Sequence, residues 1–249
     1  MTRTTYRERG AQERVGRREE SWGESVVWYL RAMTGLDIRR PRGFDRLKHG
    51  MSDLVGVPNW AVTLRPAYRR DWPETMRLAR NAASDDGLPY GAAIVFRKGR
   101  TVEEQLVALD LDTWTRALTG QPAPSTSASA HRAVSKEPLP NKIRGMDFRR
   151  DVAAYIANAT DQSISIKGGL ELVYFGAGSL GVIPGWSVIT AADLDERDYS
   201  EHVDSAEVAA AADSSRLSAA ILQRHGLPAG DAIVLMTLRT FALWIGEPR

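Results

Sequence analysis

The stretch DLVGVPNWAVTLRP, Asp53 to Pro66, decides how this chain is read. Two short apolar runs, DLVGV and WAVTL, flank a Pro58-Asn59 turn, which is strand–turn–strand chemistry. Upstream, ESVVWYLRAM (Glu24 to Met33) spaces its apolar residues at a helical period. Downstream, WPETMRLARNAASDD (Trp72 to Asp86) puts a proline in the first turn of a second helix. AAIVF (Ala92 to Phe96) and QLVAL (Gln105 to Leu109) read as a strand pair across RKGRTVEE, and LDTWTRAL (Leu111 to Leu118) as a short closing helix. The order helix, strands, helix, strands, helix predicts an α/β unit, a small mixed sheet flanked by helices.

The second half repeats this order. Without a gap, Val26 aligns with Val152, Tyr29 with Tyr155, Thr34 with Thr160, Ile38 with Ile164, Gly43 with Gly169 and Gly50 with Gly176. The same shift of 126 aligns Leu54 with Leu180, Pro58 with Pro184, Trp60 with Trp186 and Val62 with Val188. A shift of 139 then matches RLARNAASDDGLPYGAAIV from Arg77 with RLSAAILQRHGLPAGDAIV from Arg216, sharing a GLP turn and an AIV run. The shift falls to 127 for DTWTRAL against RTFALWI, so the second copy is expected to lack the RKGRTVEE hairpin and one strand. The expected organisation is an internal duplication: a domain over 1–120, a linker over 121–144 that opens with the Pro/Ser/Ala-rich QPAPSTSASAHRAVSKEPLP, and a second domain over 145–249.

Composition narrows the chemistry. The chain has 249 residues, 43% hydrophobic and 26% charged, which suits packed domains and excludes wholesale disorder. It has no cysteine, which removes disulfides, thiolate metal sites and cysteine nucleophiles, and its four histidines are scattered, which argues against a zinc enzyme. No apolar run approaches the about 20 residues that cross a bilayer, and the Arg-rich start MTRTTYRERGAQERVGRREE has no apolar signal core, so a cytoplasmic protein is expected. Residues 1–120 hold 21 Lys+Arg against 16 Asp+Glu, residues 121–144 hold 4 against 1, and residues 145–249 hold 8 against 14. The first half therefore suits polyanions. The second carries Asp193, Asp195, Glu196, Asp198, Glu201, Asp204 and Glu207 in one run and should repel them. FGAGSLG (Phe175 to Gly181) matches a dinucleotide glycine pattern, but the strand-like VIPGWSVIT follows where a helix is required, so the glycines read as a turn. Trp60 and Trp186 read as core residues of the strand pair.

From Tyr6 to Leu118, the Arg-rich start, the E-S-V-V-x-Y-L helix and the DLVGVPNW segment resemble the PD-(D/E)XK nuclease superfamily, in particular phage-type Holliday junction resolvases. The resemblance implies restriction-endonuclease-like domains in which an aspartate and a strand glutamate hold Mg²⁺, with a lysine beside the attacked phosphate. Asp53 stands at the aspartate position and Glu24 on the opening helix. Thr63 stands where glutamate is expected and Arg65 where lysine is expected. The second copy has Ser179, Ile189 and Ala191 at the three strand positions and Arg150 opposite Glu24. The implied protein is a catalytically impaired or non-catalytic DNA-associated relative, a pseudo-nuclease. Asp53 and Glu24 would be weak Mg²⁺ ligands helped by the Leu64 carbonyl, and Glu74 a displaced carboxylate or a helix first-turn acid. Otherwise no cofactor is expected. The implied DNA-binding set, for duplex or branched DNA, is Arg39, Arg40, Arg42, Lys48, Arg65, Arg69 and Arg70. The second copy would dock an unknown protein. Two alternatives are an active Mg²⁺-dependent junction endonuclease and a phage structural or host-interaction protein, placed in host cytoplasm or virion. Because such resolvases act as homodimers, the fused copies could imitate that dimer in one chain.

Overall fold

A computed structural model describes residues 6–41, 51–65, 71–121, 141–166, 180–192, 199–224 and 226–247, with side chains described outside 6–19, 141–146 and 182. The first half runs α1 (Tyr6–Thr34), β1 (Trp60–Arg65), α2 (Trp72–Asp85), β2 (Tyr90–Val95), β3 (Leu106–Asp110) and α3 (Leu111–Thr119). The second runs α4 (Asn141–Thr160), β4 (Ser165–Ile166), β5 (Leu180–Ile183), β6 (Trp186–Ala191), α5 (Tyr199–Ala212), β7 (Leu217–Leu222), a 3₁₀ turn (Ala229–Asp231), β8 (Ile233–Thr237) and α6 (Leu238–Ile245). Helix α4 thus begins inside the stretch read as linker, of which 122–140 lie outside the described residues.

Local chemistry explains the boundaries. Asp71 caps α2 by accepting the Glu74 N–H at 3.0 Å, with Pro73 in the first turn where its missing N–H costs nothing. Asp110 caps α3 through the Thr113 N–H at 2.7 Å, and Gly120 ends it in the left-handed region at φ 70°. WAVTL is the strand β1. DLVGV makes only isolated bridges, Leu54 to Val62 and Val55 to Arg39, around the left-handed Asn59 (φ 69°).

The second half retraces the first. The strands β1 and β2 are parallel with Trp60 opposite Tyr90, and β6 and β7 are parallel with Trp186 opposite Leu217. The hairpin β2–β3 pairs Ala93 with Ala108, and β7–β8 pairs Ala220 with Leu235. Left-handed residues recur at matching places: Gly35 and Asp161, Asn59 and Gly185, Gly87 and Ser214, Gly99 and Gly226. The shift is 126 as far as β6 and 127 from α5 onward, so one residue is added before α5. This corrects the shift of 139, which would lay helix α2 on strand β7. The GLP turn occurs in both halves because it precedes a strand in both, β2 in one and β8 in the other, and the shared turn chemistry misleads the alignment. It also corrects the missing strand: the β2–β3 hairpin has its counterpart in β7–β8, and the second half adds β4 and β5 where the first has only bridges.

The two halves do not form two sheets. One mixed eight-stranded sheet runs β1-β2-β3-β8-β7-β6-β5-β4, joined by antiparallel pairing of β3 with β8. Ala108 lies opposite Leu235, its own counterpart, and the flanking pairs are symmetric about it: Leu106 with Thr237 and Asp110 with Ile233. The Leu111 N–H donates to the Ala232 carbonyl at 2.9 Å, and the Leu238 N–H to the Gln105 carbonyl at 2.7 Å, the same bond made twice. This is the isologous geometry of a twofold axis, here internal to one chain.

Both layers of the core follow that axis. On one face α2 and α5 meet through Trp72 and Tyr199, counterparts whose rings lie 5.3 Å apart, over Ala93, Val95, Ala108, Ala220 and Leu235. On the other face α1 packs on α6, and α4 on α3, so each opening helix leans on the other half's closing helix. There Trp60 meets Phe241 at 5.3 Å and 86°, and its counterpart Trp186 meets Trp114 at 5.3 Å and 89°. Trp244 touches both Trp60 and Trp186. Trp60 and Trp186 are 3% and 6% exposed, so both are core residues as expected.

A junction built from a strand pair and a shared apolar core should outlast the loss of the peptide connection. A single proteolytic cut within 122–140 is expected to leave the fragments comigrating in gel filtration and melting in one transition. Fragments that separate without denaturant would refute the shared core.

Candidate functional site

Asp53, Thr63 and Arg65 come together at the outer edge of the sheet. The Asp53 N–H donates to the Val62 carbonyl at 2.8 Å, and its Oδ2 accepts the Leu64 N–H at 2.8 Å. The carboxylate thus satisfies a β1 edge donor that no full strand covers. Thr63, one residue away, is 1% exposed, with Oγ1 3.5 Å from the Ala92 carbonyl on β2. Arg65 ends β1 half-buried, its Nε enclosed without a hydrogen-bond partner, and its charge acts on Glu74.

Glu74 does not join Asp53. Arg77, one helical turn on, holds it at both oxygens, Nε to Oε2 at 2.7 Å and Nη2 to Oε1 at 2.6 Å. The Arg77 hydrogen bonds hold the Glu74 carboxyl below its ordinary range, with the Arg77 and Arg65 charges adding to the effect. Of its two sequence readings, the helix first-turn acid is the one the geometry matches. Glu24 is exposed on α1. Among the described residues no three His, Asp or Glu side chains gather into a metal-holding group. One carboxylate engaged at a backbone amide beside a buried threonine is a poor donor set for Mg²⁺, which wants several oxygens in octahedral array. The described residues do not fit the metal.

The second half departs further. Ile189 and Ala191 pack partly buried on the apolar layer beneath α5, and Arg150 is exposed 3.8 Å from Asp147. Ser179 lies outside the described residues. Of the seven residues expected to bind DNA, Arg42, Lys48, Arg69 and Arg70 also lie outside them. Arg39 is exposed beside its backbone bridge to Val55, and Arg40 reaches back over α1 with Nη1 3.4 Å from the Glu20 carbonyl. The described structure brings Asp53, Thr63 and Arg65 into one place but does not assemble the basic set.

The charge asymmetry between the halves is partly spent inside the molecule. Arg97, just past β2 and only 6% exposed, binds Asp204 of α5 at 2.7 Å and the Ser200 carbonyl at 3.0 Å. Arg100 shares the same Asp204 oxygen at 2.8 Å, and Arg80 of α2 reaches Asp231 at 3.3 Å. Some acids of the second half therefore serve as counter-ions for the first. Net charge by segment could not reveal this, because the partners lie about a hundred residues apart.

A second charged group missed by the sequence reading surrounds Asp110. It is 4% exposed, lies 3.7 Å from Arg80 Nε, and has Asp112 nearby, which binds Tyr155 Oη at 2.8 Å and Arg116 Nε at 2.8 Å. Burial pushes the Asp110 carboxyl above its ordinary value, against the opposing Thr113 hydrogen bonds and the Arg80 charge. Its counterpart Thr237 caps α6 without charge, accepting the Thr240 N–H at 3.2 Å. Asp110→Thr is therefore expected to keep the cap and fold within about 1 kcal/mol of wild type at pH 7, whereas Asp110→Ala loses about 1 kcal/mol. Because the folded value is raised, wild type should gain on Asp110→Thr as pH falls, reaching its full advantage below the unfolded carboxyl pKa of about 4 and losing it as pH rises through the folded value. Urea titrations of both proteins across acidic to neutral pH check the sign.

Comparison with protein-family models, curated proteins and solved structures returned no match to this chain. No helix among the described residues is long and apolar enough to cross a membrane.

Proposed function

We propose that this chain is a DNA-associated protein built on a doubled nuclease-like scaffold that has lost the groups needed to cut. The observation that carries the reading is the Asp53 corner. The aspartate stands beside β1 where a resolvase-like enzyme would use it, but its Oδ2 holds the Leu64 amide, and the neighbouring position offers a buried hydroxyl in place of a second carboxylate. Arg65 keeps a permanent positive charge beside it, suited to a phosphate and unsuited to accepting a proton. The repeated order of helix, edge strand, helix and parallel strand supports two restriction-endonuclease-like halves, each with one such corner. DNA is the favoured partner because the first half keeps a basic excess.

The test is a fluorescence-anisotropy titration of the whole chain with labelled duplex and four-way junction DNA at low and moderate salt, beside incubation of the junction with Mg²⁺ or Mn²⁺. Salt-sensitive binding without cleavage is the expected result. Metal-dependent cutting that vanishes in Asp53→Asn would replace the proposal with an active endonuclease. Absence of any salt-sensitive binding would sink the DNA assignment and favour the scaffold-only reading.

A further inference from the structure

We propose that Arg149 is the anchor of a phosphate-group site in the second half, at the corner equivalent to Asp53 and Arg65. Arg149 sits on α4 and crosses to β6, where its Nε donates to Thr190 Oγ1 at 3.2 Å. Thr190 lies between Ile189 and Ala191, the counterparts of Thr63 and Arg65. Most of the Arg149 side chain is buried, and burial alone lowers its pKa. Nevertheless it has no carboxylate partner among the described residues. The closest acid on its own helix in sequence, Asp147, lies against Arg150 instead. A guanidinium drawn out of water normally takes a counter-ion, because the desolvation is otherwise uncompensated. The other well-buried arginine on the page, Arg97, obeys that rule through Asp204.

Arg149 differs from Arg97 in a second way. An Arg97 terminal nitrogen is sealed from solvent, whereas no polar atom of Arg149 is both enclosed and unpartnered. With Nε fixed by Thr190, the two terminal N–H₂ groups form a held, accessible fork of the kind that binds two oxygens of a phosphate or carboxylate. The first half offers an independent parallel. The counterpart of Arg149 is Gly23, and a Cβ there would meet the Arg40 guanidinium at 2.8 Å. Each half therefore brings a guanidinium to the same corner of the fold, from unrelated residues. The tetrahedral, doubly charged phosphate group is the ligand class assigned, from either a DNA backbone or free phosphate. Only the DNA source rests on the function proposed above.

The experiment uses the full chain as wild type, Arg149→Lys, Arg149→Gln and Arg149→Ala. Thermal melting is compared in inorganic phosphate and in chloride at equal ionic strength, and junction-DNA affinity is measured against salt. The proposal expects phosphate to raise the Tm of wild type, to raise that of Arg149→Lys less, and to leave the Gln and Ala variants at their chloride values. If the DNA backbone is the source, the Gln and Ala variants also lose about one unit of the log–log salt slope. A lost phosphate shift with an unchanged slope assigns free phosphate. Equal phosphate shifts in all four proteins, with unchanged DNA affinity, would overturn the site. Should wild type bind no DNA, the function proposed above fails while the phosphate comparison still decides this one.

Discussion

Asp204→Ala is expected to destabilise the chain by about 3 kcal/mol or more, read as a lowered urea midpoint with an unchanged slope. The cost comes from the partner left behind. Arg97 is 6% exposed and would keep only the Ser200 carbonyl, with its Nη1 already enclosed and unpartnered. The reverse substitution should be milder. In Arg97→Met the remaining carboxylate is 38% exposed and still bound to Arg100 at 2.8 Å, so a loss of about 1 kcal/mol is expected, because a buried charge has been exchanged for apolar volume. Equal losses from the two variants would show that the pair acts as an ordinary surface ion pair.

Trp114→Ala should cost about 3–5 kcal/mol, since it empties a fully buried indole site between the halves and removes the edge-to-face contact with Trp186. Trp114→Phe should lose only about 1 kcal/mol. The molecule already contains the result of that exchange: Phe241 occupies the equivalent position against Trp60 at the same 5.3 Å. The exchange also removes the Trp114 Nε1–H, which is buried without an acceptor. A Phe variant as unstable as the Ala variant would mean that the two aromatic sites are packed by different rules.

Much of the fold was legible because its signals are local. The Pro58-Asn59 turn, the proline in the first turn of α2, and the ungapped match around Trp60 and Trp186 located the main elements and the repeat. The alignment failed where two turns shared the tripeptide GLP, since turn chemistry reports a bend and says nothing of which strand follows. The joining of the halves was hidden for a different reason. Strands β3 and β8 are continuous apolar runs, LVALD and IVLMT, buried on both faces whether they end a sheet or lie at its centre. At the candidate site, the identity of Thr63 was readable, but the use of Asp53 as an edge clamp was not. That depends on the missing strand neighbour of β1. Arg149 carried no sequence signal at all, because its lack of a partner is a fact of three dimensions.

A twofold assembly of identical subunits receives every amino-acid change in duplicate, so a favourable charge on one side of the axis forces its twin onto the other. Housing both halves in one polypeptide removes that constraint. The position that is Arg77 in α2 is free to be Asp204 in α5, and the latter meets Arg97 where a strict copy would have set two guanidinium groups against each other. Each corner of the molecule can therefore diverge on its own schedule, and two surfaces descended from one pattern need not recognise the same thing.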